Sequence, residues 1–147
     1  MGCVAFGLVR RAAIRPGALT LLTLEELSNP IRIGDHSCIL RNHSQKVSKS
    51  NDGLVNFPSD CYEGLCHYVL KWRSKSYCNK EHVLLKLNSD NALESQDLGT
   101  ICSDLFKMFH NKSFCFTDYR QHLQTTFCQT TNNETDIKWF NRVMEHR

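Results

Sequence analysis

The stretch DLGTICSDLFKMFH, residues 97–110, carries Leu98, Ile101, Cys102, Leu105, Phe106 and Phe109 at three- and four-residue spacing. That period marks one face of an α-helix. Ser95 or Asp97 supplies the entry to it. No other stripe in the chain is as clear, and it predicts a central buried helix over Leu98–Phe109. Upstream, Ser59 is a suitable N-cap for a second helix. There Tyr62, Leu65, Cys66, Val69 and Leu70 share a face, with an end expected near Arg73. Between the two, His82 to Leu87 is short and apolar and is closed by Asn88-Ser89-Asp90-Asn91, which reads as a strand. Downstream, Cys115–Cys128 is ambiguous. Phe116, Tyr119 and Leu123 fit a helix, whereas Leu123, Thr125 and Phe127 alternate like a strand. Asp136 to Arg147 places Ile137, Phe140 and Met144 on one face, with acid at the start and His146-Arg147 at the end, the charge order of a terminal helix. The expected fold class is α+β: a small, mostly helical, disulfide-linked domain over residues 59–147.

The first 58 residues read differently. Residues 1–24, MGCVAFGLVRRAAIRPGALTLLTL, contain Arg10, Arg11 and Arg15 and no acid. Such an N-terminal leader suits a signal peptide or an amphipathic mitochondrial presequence. Residues 25–58 are expected to be a polar linker, with a short strand near Ile31–Ile33. In RNHSQKVSKSNDG (41–53) only Val47 is apolar, too little to offset the entropy of ordering the chain.

The whole chain has 147 residues, 41% hydrophobic and 22% charged, which allows one domain with a leader or tail. No apolar run approaches the roughly eighteen residues of a membrane span. The net charge is +3, all of it in the leader, because the remaining 15 basic and 15 acidic residues cancel. A neutral body has little long-range pull on phosphate, so the sequence carries no strong nucleic-acid signal. Lys71, Arg73, Lys75 and Lys80, with Trp72 and Tyr77 among them, form a possible anion contact; the plainer reading is a solvated helix end.

Eight cysteines are many for a protein of a reducing compartment. Six of them, Cys61, Cys66, Cys78, Cys102, Cys115 and Cys128, fall within the predicted domain and are disulfide candidates, with fifteen possible pairings. Three glycosylation acceptors, at Asn42, Asn111 and Asn133, point the same way. Zinc is not expected. Cys66, Cys78 and His82, and likewise Cys115, His122 and Cys128, lack the tight first pair of ligands that a zinc knuckle presents. Gly34-Asp35-His36-Ser37-Cys38 gathers residue types used in nucleophilic catalysis, but in the expected linker it reads as an exposed turn. There is no phosphate-cradling glycine loop and no H-E-x-x-H. No catalytic residue, cofactor or metal is expected.

Cys66-His67-Tyr68-Val69-Leu70, Cys78-Asn79-Lys80-Glu81-His82-Val83-Leu84-Leu85, Ile101-Cys102, Phe114-Cys115-Phe116 and Thr125-Thr126-Phe127-Cys128-Gln129 follow one another in order. Over residues 59–129 this succession resembles the divergent, epididymis-type branch of the pancreatic ribonuclease family. The resemblance implies a first cysteine on a helix, a second ahead of a lysine and a strand, and a final Thr-x-Cys strand. It also implies a Cys66–Cys128 disulfide, with Cys78 and Cys102 left to find each other. Ribonuclease chemistry needs a histidine base, a histidine acid and a cation. The family's first histidine lies about fourteen residues before the first helical cysteine; Asp52 stands there, and the nearest upstream histidine is His43. Lys80 could supply the cation. The second histidine belongs to a closing strand, whereas His146 sits on a predicted helix. The resemblance therefore implies an inactive member.

The functional expectation is a secreted, N-glycosylated, non-catalytic binding protein with a protein partner or receptor. Its small helical body suits a receptor ligand. Two alternatives are a mitochondrial accessory or assembly protein with a cleaved presequence, and a young gene product without a defined activity.

Overall fold

The structure is a computed structural model that describes residues 6–7, 10–11, 14–35, 37–41, 54–73, 81–86 and 89–143. Lys75, Tyr77, Cys78, Lys80, Asn42, His43, Asp52 and His146 lie outside the described residues.

Helix α1 (Pro16–Thr20) starts inside the expected leader. Arg15 is its extended N-cap and Pro16 its first residue, where a missing N–H costs nothing. Gly17 faces the start of the long helix, where a Cβ would meet the Ser95 hydroxyl at 3.3 Å and press that side chain aside by a few tenths of an ångström. Helix α2 (Leu24–Ser28) is opened by a reciprocal capping box. The Glu26 N–H donates to the Thr23 hydroxyl (3.2 Å) and the Thr23 N–H to the Glu26 carboxylate (2.8 Å).

Three short strands follow: β1 (Ile31–Ile33), β2 (Ser37–Arg41) and β3 (Leu54–Pro58). They form an antiparallel meander in that order, with the β1–β2 turn leaving through Gly34 at φ 61°. The register pairs Cys38 with Phe57 and Leu40 with Val55, and directly opposed residues point to the same face. All four are buried, so this is the inner face; Ile31 and Ile33 of the edge strand are exposed. Helix α3 (Ser59–Lys71) leaves β3 directly and folds back over the sheet with Cys61, Leu65 and Tyr68 inward. The Ser59 hydroxyl donates to the Asp35 carbonyl (3.2 Å) and the Tyr62 hydroxyl to the Leu27 carbonyl (2.8 Å), so the helix is tied to the turn and to α2.

Much of the described part of the expected linker 25–58 is instead one helix and three strands, and the short strand expected near Ile31–Ile33 is present as β1. Part of the stretch read as a leader packs into the fold: Ile14, Ala18, Leu19 and Leu22 share one core with Leu65, Leu98 and Cys102. This apolar run is one wall of that core. The small body alone would bury too little surface without it.

The strand expected over 82–87 is also corrected. Its described part is a bent connection, buried at Val83–Leu85, with two isolated bridges, Thr23 with His82 and Leu85 with Ala92. The Val83 N–H donates to the Leu22 carbonyl (2.9 Å) and the Leu93 N–H to the Leu84 carbonyl (3.0 Å). Val83, Leu84 and Leu85 are all buried, so it has neighbours on every side and never forms a ladder with one of them.

Helix α4 (Ser95–His110) is the helix expected from the central stripe. Lys86 pairs with Glu94 (2.8 Å) and Asp97 (3.1 Å) at its entrance. Its burial is uneven. Leu98 and Cys102 are fully enclosed, Leu105 and Phe106 are half-buried, and Phe109 is 70% exposed. Helix α1 and the 83–93 connection cover only its first half. Helices α5 (Phe116–Thr130) and α6 (Glu134–Val143) form a hairpin. Phe127 stacks on Phe140 at 4.1 Å and Gln124 donates to Asn141 (2.8 Å). The ambiguity over Cys115–Cys128 thus resolves to a helix, and no α5 side chain is fully buried. The fold is small, mostly helical and α+β.

Candidate binding surface and thiol cluster

The possible anion contact does not assemble among the described residues. Lys71 is exposed in the last turn of α3, but the chain turns inward directly after Trp72. The Arg73 N–H closes on the Tyr68 carbonyl (2.8 Å), and its buried guanidinium donates to the His82 carbonyl (3.2 Å). Arg73 is therefore a structural strut, with no face towards an external anion. What the helix end presents is apolar: Leu70 is 73% and Trp72 76% exposed, on either side of Lys71.

A second exposed patch, Met108 and Phe109, ends α4. Beside it runs a chain of rings that sequence reasoning did not single out. Phe106 lies 4.5 Å from His110 and 5.4 Å from Phe114, and Phe114 packs edge-on to Phe6 (5.4 Å) and Phe116 (5.2 Å). The signal was Phe114-Cys115-Phe116 at the hinge between two helices, where one flanking ring must face each helix. Asn111 is the left-handed C-cap of α4 at φ 52°, a conformation that asparagine tolerates, and its side chain is exposed. Asn133 accepts from the Thr135 N–H (2.9 Å) and so holds the start of α6 through its Oδ1. Its amide nitrogen, the atom a glycan would take, is not the one used in that cap.

The six described cysteines are all free thiols. Cys38, Cys61 and Cys102 are buried, Cys66 is half-buried, and Cys115 and Cys128 are exposed at the two ends of α5. Thr125–Cys128, read from the ribonuclease resemblance as a strand, is helical. Burial pushes the Cys102 thiol up to about 11. Burial also raises Cys61, beside Asp60, and Cys38. These shifts run opposite to what a nucleophilic thiol needs, and Cys38 of the Gly34–Cys38 run faces the core, away from Asp35 on the exposed turn. Among the described residues, no three His, Cys, Asp or Glu side chains gather to hold a metal.

Cys38, absent from the six disulfide candidates, is buried on the inner face of the sheet. The Tyr62 hydroxyl donates to the Leu27 carbonyl (2.8 Å), and the Cys66 and Cys38 thiols add to its electrostatic surroundings. Burial and these thiols hold the phenol at about 12. The signal available in the sequence was the alternation of Cys38 and Leu40 with Val55 and Phe57. It was hidden by the polar residues between the two strands.

Comparison of the chain with protein families, with curated proteins and with solved structures gave no significant match.

Proposed function

We propose that this protein is a secreted, disulfide-linked and N-glycosylated binding protein without catalytic activity, which engages a protein partner through the end of α3. The observation that carries the reading is the exposure of Trp72 at the end of α3, with Leu70 exposed two residues before it and Lys71 between them. Tryptophan supplies a large anchor at protein interfaces. The lysine between these two residues favours a partner whose apolar pocket has an acidic rim. A glycan on exposed Asn111 would shade the neighbouring Met108–Phe109 patch and leave the α3 end open. The acceptors at Asn111 and Asn133 both lie at exposed helix ends, as glycosylation requires. Any processing that leaves this fold standing cuts before Ile14, because residues 14–28 supply core side chains.

The test is made on protein purified from its native source. A glycan removable from Asn111, together with a partner that co-purifies with wild type and is lost with Trp72→Ala, supports the proposal. Unglycosylated protein whose thiols are all reduced overturns the secretory part. A partner retained equally by Trp72→Ala overturns the surface.

A further inference from the structure

Helix α4 stops at His110 although its composition does not stop it. From Thr100 to Thr130 the chain has neither glycine nor proline, the two residues that break helices on their own account. The break is made at Asn111, which stands in the left-handed region at φ 52°, the one described residue other than glycine to do so. Asparagine tolerates that conformation better than most side chains, but its chirality still favours the right-handed one. With Asn111 returned to a right-handed helical φ, α4 and α5 read as one helix over 95–130. Leu105, Phe109, Lys112, Phe116, Tyr119 and Leu123 then follow at alternating steps of four and three, the spacing of a single seam, with Lys112 its one charged member.

The bend at Asn111 cuts this seam in the middle. Phe109 and Met108, directly before the bend, are left exposed, whereas Phe116 and Tyr119, directly after it, are half-buried against the body. The contacts that hold α5 there are few and lie at its near end. The Phe116 ring lies over Gly99, 3.8 Å from where a Cβ would stand, and the Tyr119 hydroxyl donates to the Arg10 carbonyl. No α5 side chain is fully buried. A segment attached in this way opens at small cost while the body stays folded.

We propose that this protein forms a dimer by exchanging the α5–α6 hairpin, with residues 111–115 as the hinge and a second copy of the chain as the partner. The body of one copy receives the hairpin of the other, and the fit is assured because identical chains present identical surfaces. Exchange returns between chains the Phe116 and Tyr119 contacts that opening loses within one. Two gains belong to the exchanged form alone. Asn111 is released from its left-handed conformation, and Met108 and Phe109 are covered where the two hinges cross at the twofold axis. The apolar residues left exposed beside the bend are thus the ones the second copy hides. Trp72 belongs to α3, outside the exchanged elements, so the partner surface proposed above neither requires the exchange nor is excluded by it.

The test uses the full-length chain without glycan, kept reduced so that no disulfide joins two copies. It is concentrated, warmed to just below its thermal midpoint, cooled, and separated by size with light scattering. The expected product is a species of twice the 17.0 kDa chain mass that persists on dilution in the cold and returns to monomer on rewarming. A dimer assembled from equal parts of ¹³C-labelled and unlabelled chain should show the Phe116 ring beside the Gly99 α-protons in an intermolecular-filtered NOE spectrum. Asn111→Gly accepts the bend and weakens a continuous helix, and Asn111→Ala does the reverse, so the dimer fraction should be about fivefold higher for the alanine variant. Phe109→Ser, at an exposed position, should lower the dimer fraction and leave the monomer's thermal midpoint in place. Monomer under every condition, a dimer whose Phe116–Gly99 contact stays within one chain, or a dimer fraction indifferent to position 109 or 111 overturns the proposal.

Discussion

Replacing Leu19 by alanine tests whether the N-terminal segment belongs to the fold. Leu19 is 1% exposed, in the middle of α1, and contributes to the same core as Leu65 and Leu98. The substitution removes three carbons from that core, a transfer loss of about 2.4 kcal/mol at roughly 0.8 kcal/mol each. The cavity left behind brings the cost into the range of about 2.7–5 kcal/mol. With a denaturant slope near 1.5 kcal/mol per molar urea, a loss of about 3 kcal/mol lowers the unfolding midpoint by about 2 M. Urea titration followed by far-UV circular dichroism measures this. Leu21, two residues on and 37% exposed, is the internal control, and Leu21→Ala should cost less than about 1 kcal/mol. A chain beginning at Glu25 also lacks Ile14, Ala18 and Leu22 and should show no cooperative transition. Equal midpoints for Leu19→Ala and Leu21→Ala, or a cooperative transition in the shortened chain, would refute the placement of α1 in the core.

Within α4, Leu98→Ala should cost about 2–5 kcal/mol, whereas Phe109→Ala should change stability by less than about 1 kcal/mol, because only Leu98 is enclosed. Thermal melts of the two variants check this, and similar losses would mean that the far end of α4 is also covered. Asp60 is bonded to Arg11 and titrates below the usual carboxylate range, so the pair's contribution is present at neutral pH and is lost as the pH falls through that lowered value. Asp60→Asn should therefore flatten the stability profile below about pH 4, read from melts across pH; an unchanged profile would show that the pair contributes nothing. Cys102, with its thiol near 11, holds roughly 10⁻⁴ of thiolate at pH 7, against a few per cent for an ordinary thiol. Iodoacetamide should label it at least a hundredfold more slowly than Cys115 or Cys128 in native protein, and comparable rates would show that it is not enclosed.

The parts of the fold legible in the sequence are those whose apolar residues recur over several turns. Helices α3 and α4 repeat their stripe over three turns or more, and α6 carries acid in its first turn. Apart from the short strand expected near Ile31–Ile33, the sheet was illegible because β2 and β3 show the core only a brief alternation. A pattern as brief as Cys38 and Leu40 or Val55 and Phe57 has no statistical weight beside the polar residues 42–53. Helix α2 was legible and was overlooked, since Thr23-Leu24-Glu25-Glu26 is a capping box written out in sequence. Helix α1 could not be separated from a targeting segment by composition, because both require apolar residues without acid. At the candidate surface, Lys71 and Trp72 could be placed from the α3 period. Arg73 could not, because its direction depends on a backbone turn that closes only after the helix has ended.

This difference in legibility parallels a difference in how the two halves are held. From Ile14 to Cys102, each described element places at least one side chain in the shared core or is hydrogen-bonded to a neighbour that does. Loss of one wall therefore exposes the others, which is the condition for all-or-none unfolding. The α5–α6 hairpin is held more loosely. No α5 residue is fully buried; among the described residues its two helices share one ring stack and one amide pair, and it meets the body through Phe116, the rings around Phe114 and the Tyr119 hydroxyl on the Arg10 carbonyl. Few enclosed apolar contacts and many solvated helix bonds place a segment at the low end of local stability. The hairpin can therefore open while the body stays folded, and exposed Cys115 and Cys128 open with it.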